Sequence, residues 1–141
     1  MEKRTSEVNE ILNERFGKDS LIALATVKDG TPHVRTVDAY YADGAFYSVT
    51  HALSGKMQQI QENDSVAICG EWFTAHGKGV NLGSFNSPAN AAMTQKLREV
   101  FAAWLMNGHS DLDDPNTVIL CIRLTDGVLM SNGKRYEIDF T

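Results

Sequence analysis

Apolar and polar positions along the chain follow two periods, one helical and one alternating. Thr5 or Ser6 can cap a helix, and Val8, Ile11, Leu12 and Phe16 recur at helical spacing, so residues 5–16 are expected to be helical. Residues 21–27, LIALATV, are dense in apolar and β-branched positions and predict a strand. KDGTP then signals a turn. In HVRTVDAYY, residues 33–41, Val34, Thr36 and Asp38 alternate with Arg35, Val37 and Ala39, which gives a strand with two unlike faces. A second turn signal, ADG, leads into AFYSVT, residues 45–50. Short turns between these three strands predict an antiparallel meander.

The remaining pattern continues in the same way. A short helix is expected over 54–62, with Met57 and Ile60 on one face. A fourth strand is expected over 65–75 and a fifth over 78–85, with His76 and Gly77 between them. Residues 88–106 predict a long helix. Pro88 suits its first turn, and Ala92, Leu97, Val100, Phe101, Trp104 and Leu105 mark its apolar stripe. Residues 107–116 form a polar loop, and 117–140 give two or three strands with Asp-Gly and Asn-Gly turns. No repeat, linker or low-complexity segment interrupts residues 1–141, so one domain is expected. Strands outnumber helices and the turns are short. A mainly β (α+β) fold follows, an antiparallel barrel with flanking helices, because closure removes exposed strand edges.

Composition narrows the function classes. With 43% apolar and 22% charged residues the chain has an ordinary globular balance. Its net charge of −5 and scattered Lys and Arg argue against nucleic acid as a partner. No apolar run reaches the length of a membrane helix, and MEKRTSEVNE carries no secretory signal, so a cytoplasmic location is expected. Cys69 and Cys121 lie in apolar strand patterns and read as two buried thiols, with no metal spacing. Trp72 and Trp104 are expected in the core or at an interface.

Candidate chemistry concentrates at Ser54, Gly55 and Lys56. A helix start presents unpaired N–H groups, glycine lets a ligand approach them, and Lys56 adds a full charge. The same three residues also read as a plain helix cap. Arg35 is expensive between apolar neighbours without a partner. It faces water, pairs with Asp38 or a glutamate, or shares an anion with Lys56. His33, His51, His76 and His109 have no ligand spacing, and GHSDLDD reads as a solvated loop. No nucleophile or carboxylate pair stands out. That pattern fits a domain whose cofactor carries the reaction.

Residues 21–83 resemble the pyridoxamine 5′-phosphate oxidase-like family of FMN-binding split barrels. The likeness rests on the strand order, the RTV strand at 35–37, the FYSVT…SGK junction at 46–56 and the spacing of the next two strands. It extends more loosely to the C-terminus. The resemblance implies a six-stranded antiparallel split β-barrel, a homodimer, and FMN in a groove at the subunit interface. By position, Arg35, Thr36 and Val37 match the strand that lines the flavin and reaches its phosphate. Tyr47, Ser48, Val49 and Thr50 match the next flavin-facing strand, and Ser54, Gly55 and Lys56 match the phosphate-binding helix start. Lys78 falls where the family places a polar side chain near the flavin ring, and is either that group or a surface lysine. The implied function is FMN-dependent oxidation or reduction of a small molecule, with the flavin carrying the redox step. The alternative is a flavin, deazaflavin or haem binding protein without turnover. The chain ends GKRYEIDFT, without the C-terminal tryptophan and arginine pattern of the vitamin-processing oxidases.

Overall fold

The computed structural model describes residues 1–107 and 111–141; His109, within the predicted polar loop, lies outside the described residues. A two-residue strand, β1 (Glu2–Lys3), precedes helix α1 (Ser6–Phe16), whose cap is Thr5, its hydroxyl oxygen accepting from Val8 N–H. The meander follows as β2 (Ser20–Lys28), β3 (Thr31–Ala42) and β4 (Ala45–His51). Its turns are Asp29–Gly30 and Asp43–Gly44. All four residues have positive φ, between 45° and 86°, the mirror-image turn that matches strand twist. Helix α2 (Gly55–Glu62) comes next, then β5 (Ser65–Gly70), β6 (Phe73–Ser84), a 3₁₀ turn at Pro88–Asn90, α3 (Ala91–Val100), β7 (Thr117–Ser131) and β8 (Lys134–Asp139).

The sheet runs β1-β8-β7-β4-β3-β2-β5-β6, and β6 pairs with β7 to close it. Strands β2 to β7 thus make the expected six-stranded antiparallel barrel, with β8 and β1 appended beyond β7. Inward residues Ile22, Leu24, Ala39, Tyr41, Phe46 and Leu120 are at most 1% exposed. Helix α1 closes one end. Its Phe16 packs against Phe46 and Phe73 at 5.5 and 5.8 Å between ring centres. Helix α2 closes the other end with Met57 and Ile60. A Cβ on Gly79 of β6 would lie 2.9 Å from Ile60, so glycine there admits the helix. A second cluster lies outside the barrel, where α3 and the turns after it lay Leu97, Phe101 and Leu105 on Ile119 and Phe85.

Several expectations need correction. The turn after β5 falls at Glu71–Trp72, and His76–Gly77 lies inside β6. Trp72 takes a positive φ of 53°, and Arg15 holds the turn by donating to the carbonyl oxygens of Glu71, Trp72 and Met130. Trp72 itself is 70% exposed, outside the core. His76–Gly77 instead faces a bulge in β7, because His76 pairs with Asp126 but Gly77 with Leu124. The segment 117–140 gives two strands. Asp126–Gly127 is no turn, since β7 is zipped to β6 and β8 there. The predicted helix over 88–106 is α-helical only to Val100, because Phe101 leaves helical geometry and turns into the second cluster. Cys121 is buried, whereas Cys69 lies exposed on the outward side of β5.

Candidate functional site

The barrel is split between β3 and β4. These strands pair only at Tyr40–Tyr47, Tyr41–Phe46 and Ala42–Ala45. Beyond that triplet they part, and the Ser48 hydroxyl bridges the fork by donating to the Asp38 carbonyl at 2.8 Å. Backbone groups alternate sides along a strand, so Asp38 fixes the direction of its neighbours. Thr36 and Val34 turn their N–H and C=O toward the split, while Arg35 and Val37 turn theirs toward β2. Helix α2 begins at the wide end of this opening.

Ser54 caps α2, its hydroxyl oxygen accepting from Met57 N–H at 3.4 Å, and its carbonyl takes Gln58 N–H. The amides of Gly55 and Lys56 keep no partner among the described residues. The cap and the anion site are therefore compatible uses of the same turn. Arg35 points to the inner side of β3, on the face it shares with Val37 and Ala39. It donates through Nη1 to Thr26 Oγ1 at 2.8 Å and to the Leu24 carbonyl at 3.2 Å, and through Nη2 to Gln59 Oε1 at 3.2 Å. All three acceptors are neutral. Among the described residues neither Arg35 nor Lys56 has a carboxylate within 4.0 Å, so of the three alternatives for Arg35 the pairing with Asp38 or a glutamate is absent there.

Electrostatics reflect that lack. Burial lowers the pKa of the Arg35 guanidinium. Burial, then the charge of Arg35, lowers that of the Lys56 ammonium. Two partly buried cations, the charge of one disfavouring that of the other, are favoured by an anion between them. A phosphate group fits the donor set: a planar guanidinium, an ammonium and two backbone amides at a helix N-terminus.

The other residues singled out in the sequence lie around this centre in different ways. Thr36 is exposed on β3, and Val37 is inward and 9% exposed. Tyr47 and Val49 pack their side chains on the second cluster, and burial, then Cys121, raises the Tyr47 hydroxyl pKa. Ser48 and Thr50 lie on the opposite side of β4, with Ser48 buried. Lys78 does not join Arg35 and Lys56 within the chain. It lies outward on β6, with β5 and β2 between it and β3, and its Nζ is 3.4 Å from Asp64 Oδ1. Thr26 and Gln59, which hold Arg35, were not legible in the sequence. Their one signal is that Gln59 shares a helix face with Lys56 and Gly55, three and four residues away.

Residues 5–130 match the model of the pyridoxamine 5′-phosphate oxidase family, and the chain belongs to that family. The sequence matches no curated protein. Solved structures share the fold at low identity. General stress protein 26 from Bacillus anthracis superposes with a TM-score of 0.70 at 17% identity, covering 93% of this chain and 98% of the other. A FAD-binding protein from Mesorhizobium loti gives 0.64 at 16%, covering 88% and 92%. An F420 reductase gives 0.62 at 19%, covering 82% and 94%. No described helix is long and apolar enough to cross a membrane.

Proposed function

We propose that the protein is an FMN-dependent oxidoreductase acting on a small molecule, with the flavin phosphate held at the start of α2. The observation that carries this reading is the uncompensated pair Arg35 and Lys56, set beside the free amides of Gly55 and Lys56 in a chain of this family. Bound flavin supplies hydride transfer at its ring. Arg35 and Lys56 anchor the phosphate, and Ser54 keeps the helix start open by capping it. The unpaired edge of β3 at Val34 and Thr36 offers N–H and C=O groups that suit the polar edge of a flavin ring. Lys78 would stabilise negative charge on a reduced ring, which requires it to share itself with Asp64.

The reading extends to a homodimer with the flavin groove at the interface. Leu21 and Val34 stand 66% and 70% exposed on the outward side of β2 and β3, beside Ala23 and Ala25. The names of two fold relatives, a FAD-binding protein and an F420 reductase, support a second reading in which FAD or a deazaflavin replaces FMN at the same anchor.

The test is the visible spectrum after loading with FMN and desalting, with affinity measured for wild type and Arg35→Ala/Lys56→Ala. Each charge-assisted contact contributes roughly 1.5–3 kcal/mol, so the double variant is expected to lose about 100-fold or more in affinity. Unchanged affinity removes both residues from the site. Turnover with reduced nicotinamide and an artificial acceptor then separates an oxidoreductase from a flavin carrier.

A further inference from the structure

Arg35 and Lys56 account for the charge of the anchor, but not for how the guanidinium is aimed. That task falls to two neutral side chains. Thr26 is fully buried on β2 and accepts from Arg35 Nη1 at 2.8 Å. Its hydroxyl hydrogen goes to Gln59 Oε1, which also accepts from Arg35 Nη2 at 3.2 Å. Arg35 is a donor only, so the Gln59 amide must present its oxygen to it. Its nitrogen is then turned to the other side, toward the helix start. A Cβ on Gly55 would lie 3.9 Å from that nitrogen, and no other atom of the described residues beyond the adjoining helix turn would lie within 4 Å of it. Gln59 Nε2 has no acceptor among the described residues.

We infer that Gln59 is a positioning residue of the anion site: its oxygen fixes Arg35, and its N–H₂ group adds a donor over Gly55, beside the free amides of Gly55 and Lys56. The inference rests on the phosphate-anchor reading and deepens it. A carboxylate at this position would hold Arg35 as tightly, but would cancel its charge. The amide holds it neutrally and leaves the charge for the ligand. Gln59 therefore sets the preference for a phosphorylated flavin over the same ring without phosphate.

The test compares FMN with riboflavin, by fluorescence quenching, in wild type, Gln59→Glu and Gln59→Leu. Gln59 is a partly exposed position on α2, and thermal melting checks that both variants fold. Wild type is expected to prefer FMN. Gln59→Glu should weaken FMN by about 10- to 100-fold through an ion pair with Arg35, and Gln59→Leu by about 5- to 10-fold through loss of aim. Riboflavin affinity should hold in both. An FMN-to-riboflavin ratio that stays at the wild-type value in both variants, or equal loss of both ligands, overturns the role of Gln59 and leaves the anchor standing. A wild type without preference for FMN overturns the anchor itself, and this inference with it.

Discussion

Asp38 lies on β3 at the fork of the split, and its carboxyl is pushed up to about 6, first by burial and then by a hydrogen bond to Asp19 and its charge. Asp19 in turn accepts from Trp104 Nε1 at 3.0 Å. The folded protein thus holds a proton at Asp38 that the unfolded chain releases near pH 4. Between pH 4 and 6 the folded state binds more protons, so this group's contribution to stability falls as pH rises, and its penalty is complete above 6. Asp114 and Asp139 have lowered pKa values and contribute with the opposite sign at lower pH, so the comparison with a variant isolates Asp38. Asp38→Asn is expected to flatten the decline in urea midpoint between pH 4 and 6 and to be more stable than wild type at pH 7. Equal slopes in the two proteins would show that Asp38 does not carry the titration. At this scale the sequence was partly legible. Alternation placed Arg35 on one face with Val37 and Ala39, without saying which face is inner, and the helical pattern placed Ser54 at a helix start. It could not show Thr26 and Gln59 as partners of Arg35, because β2 and α2 meet only through the closed barrel. Cys69 misled for a related reason: apolar character does not say which side of a strand faces the core.

Among the elements, turns with their own chemistry were readable and turns imposed by neighbours were not. Asp29–Gly30, Asp43–Gly44 and Asn132–Gly133 all take left-handed backbone that those residues favour. Asp126–Gly127 carries the same signal but stays extended, since pairing on both sides of β7 outweighs local preference. Glu71–Trp72 carries no signal and turns because Arg15 satisfies its carbonyls. The Gly77 position shows what the bulge demands. A Cβ there would lie 2.6 Å from the Arg123 carbonyl oxygen, which is backbone and cannot swing away. Gly77→Ala is therefore expected to cost about 1–3 kcal/mol, measured by urea denaturation. A loss below a few tenths would mean that β6 and β7 can slide apart at the bulge.

For the molecule as a whole, the resemblance seen in the sequence and the family match agree on the split barrel. What lies between chains was not legible, because a single sequence does not mark which exposed apolar residues meet a partner. Exposed Leu21 and Val34 argue for a second copy, and sedimentation is expected to give the mass of two chains. Leu21→Lys with Val34→Lys should shift it to one chain and weaken FMN retention. A one-chain mass for the wild type would contradict the shared groove.

The closing strand carries a consequence for how the protein is made. β7 pairs with β4, β6 and β8, yet β4 and β6 precede it in the chain. A ribosome adding about 5–20 residues per second takes roughly 2–10 s to move from Ser84 to Ser131. Through that interval the nascent chain presents two unpaired strand edges, each a template for a neighbouring nascent chain. Yield in a crowded cell should thus hinge on translation speed across α3 and β7.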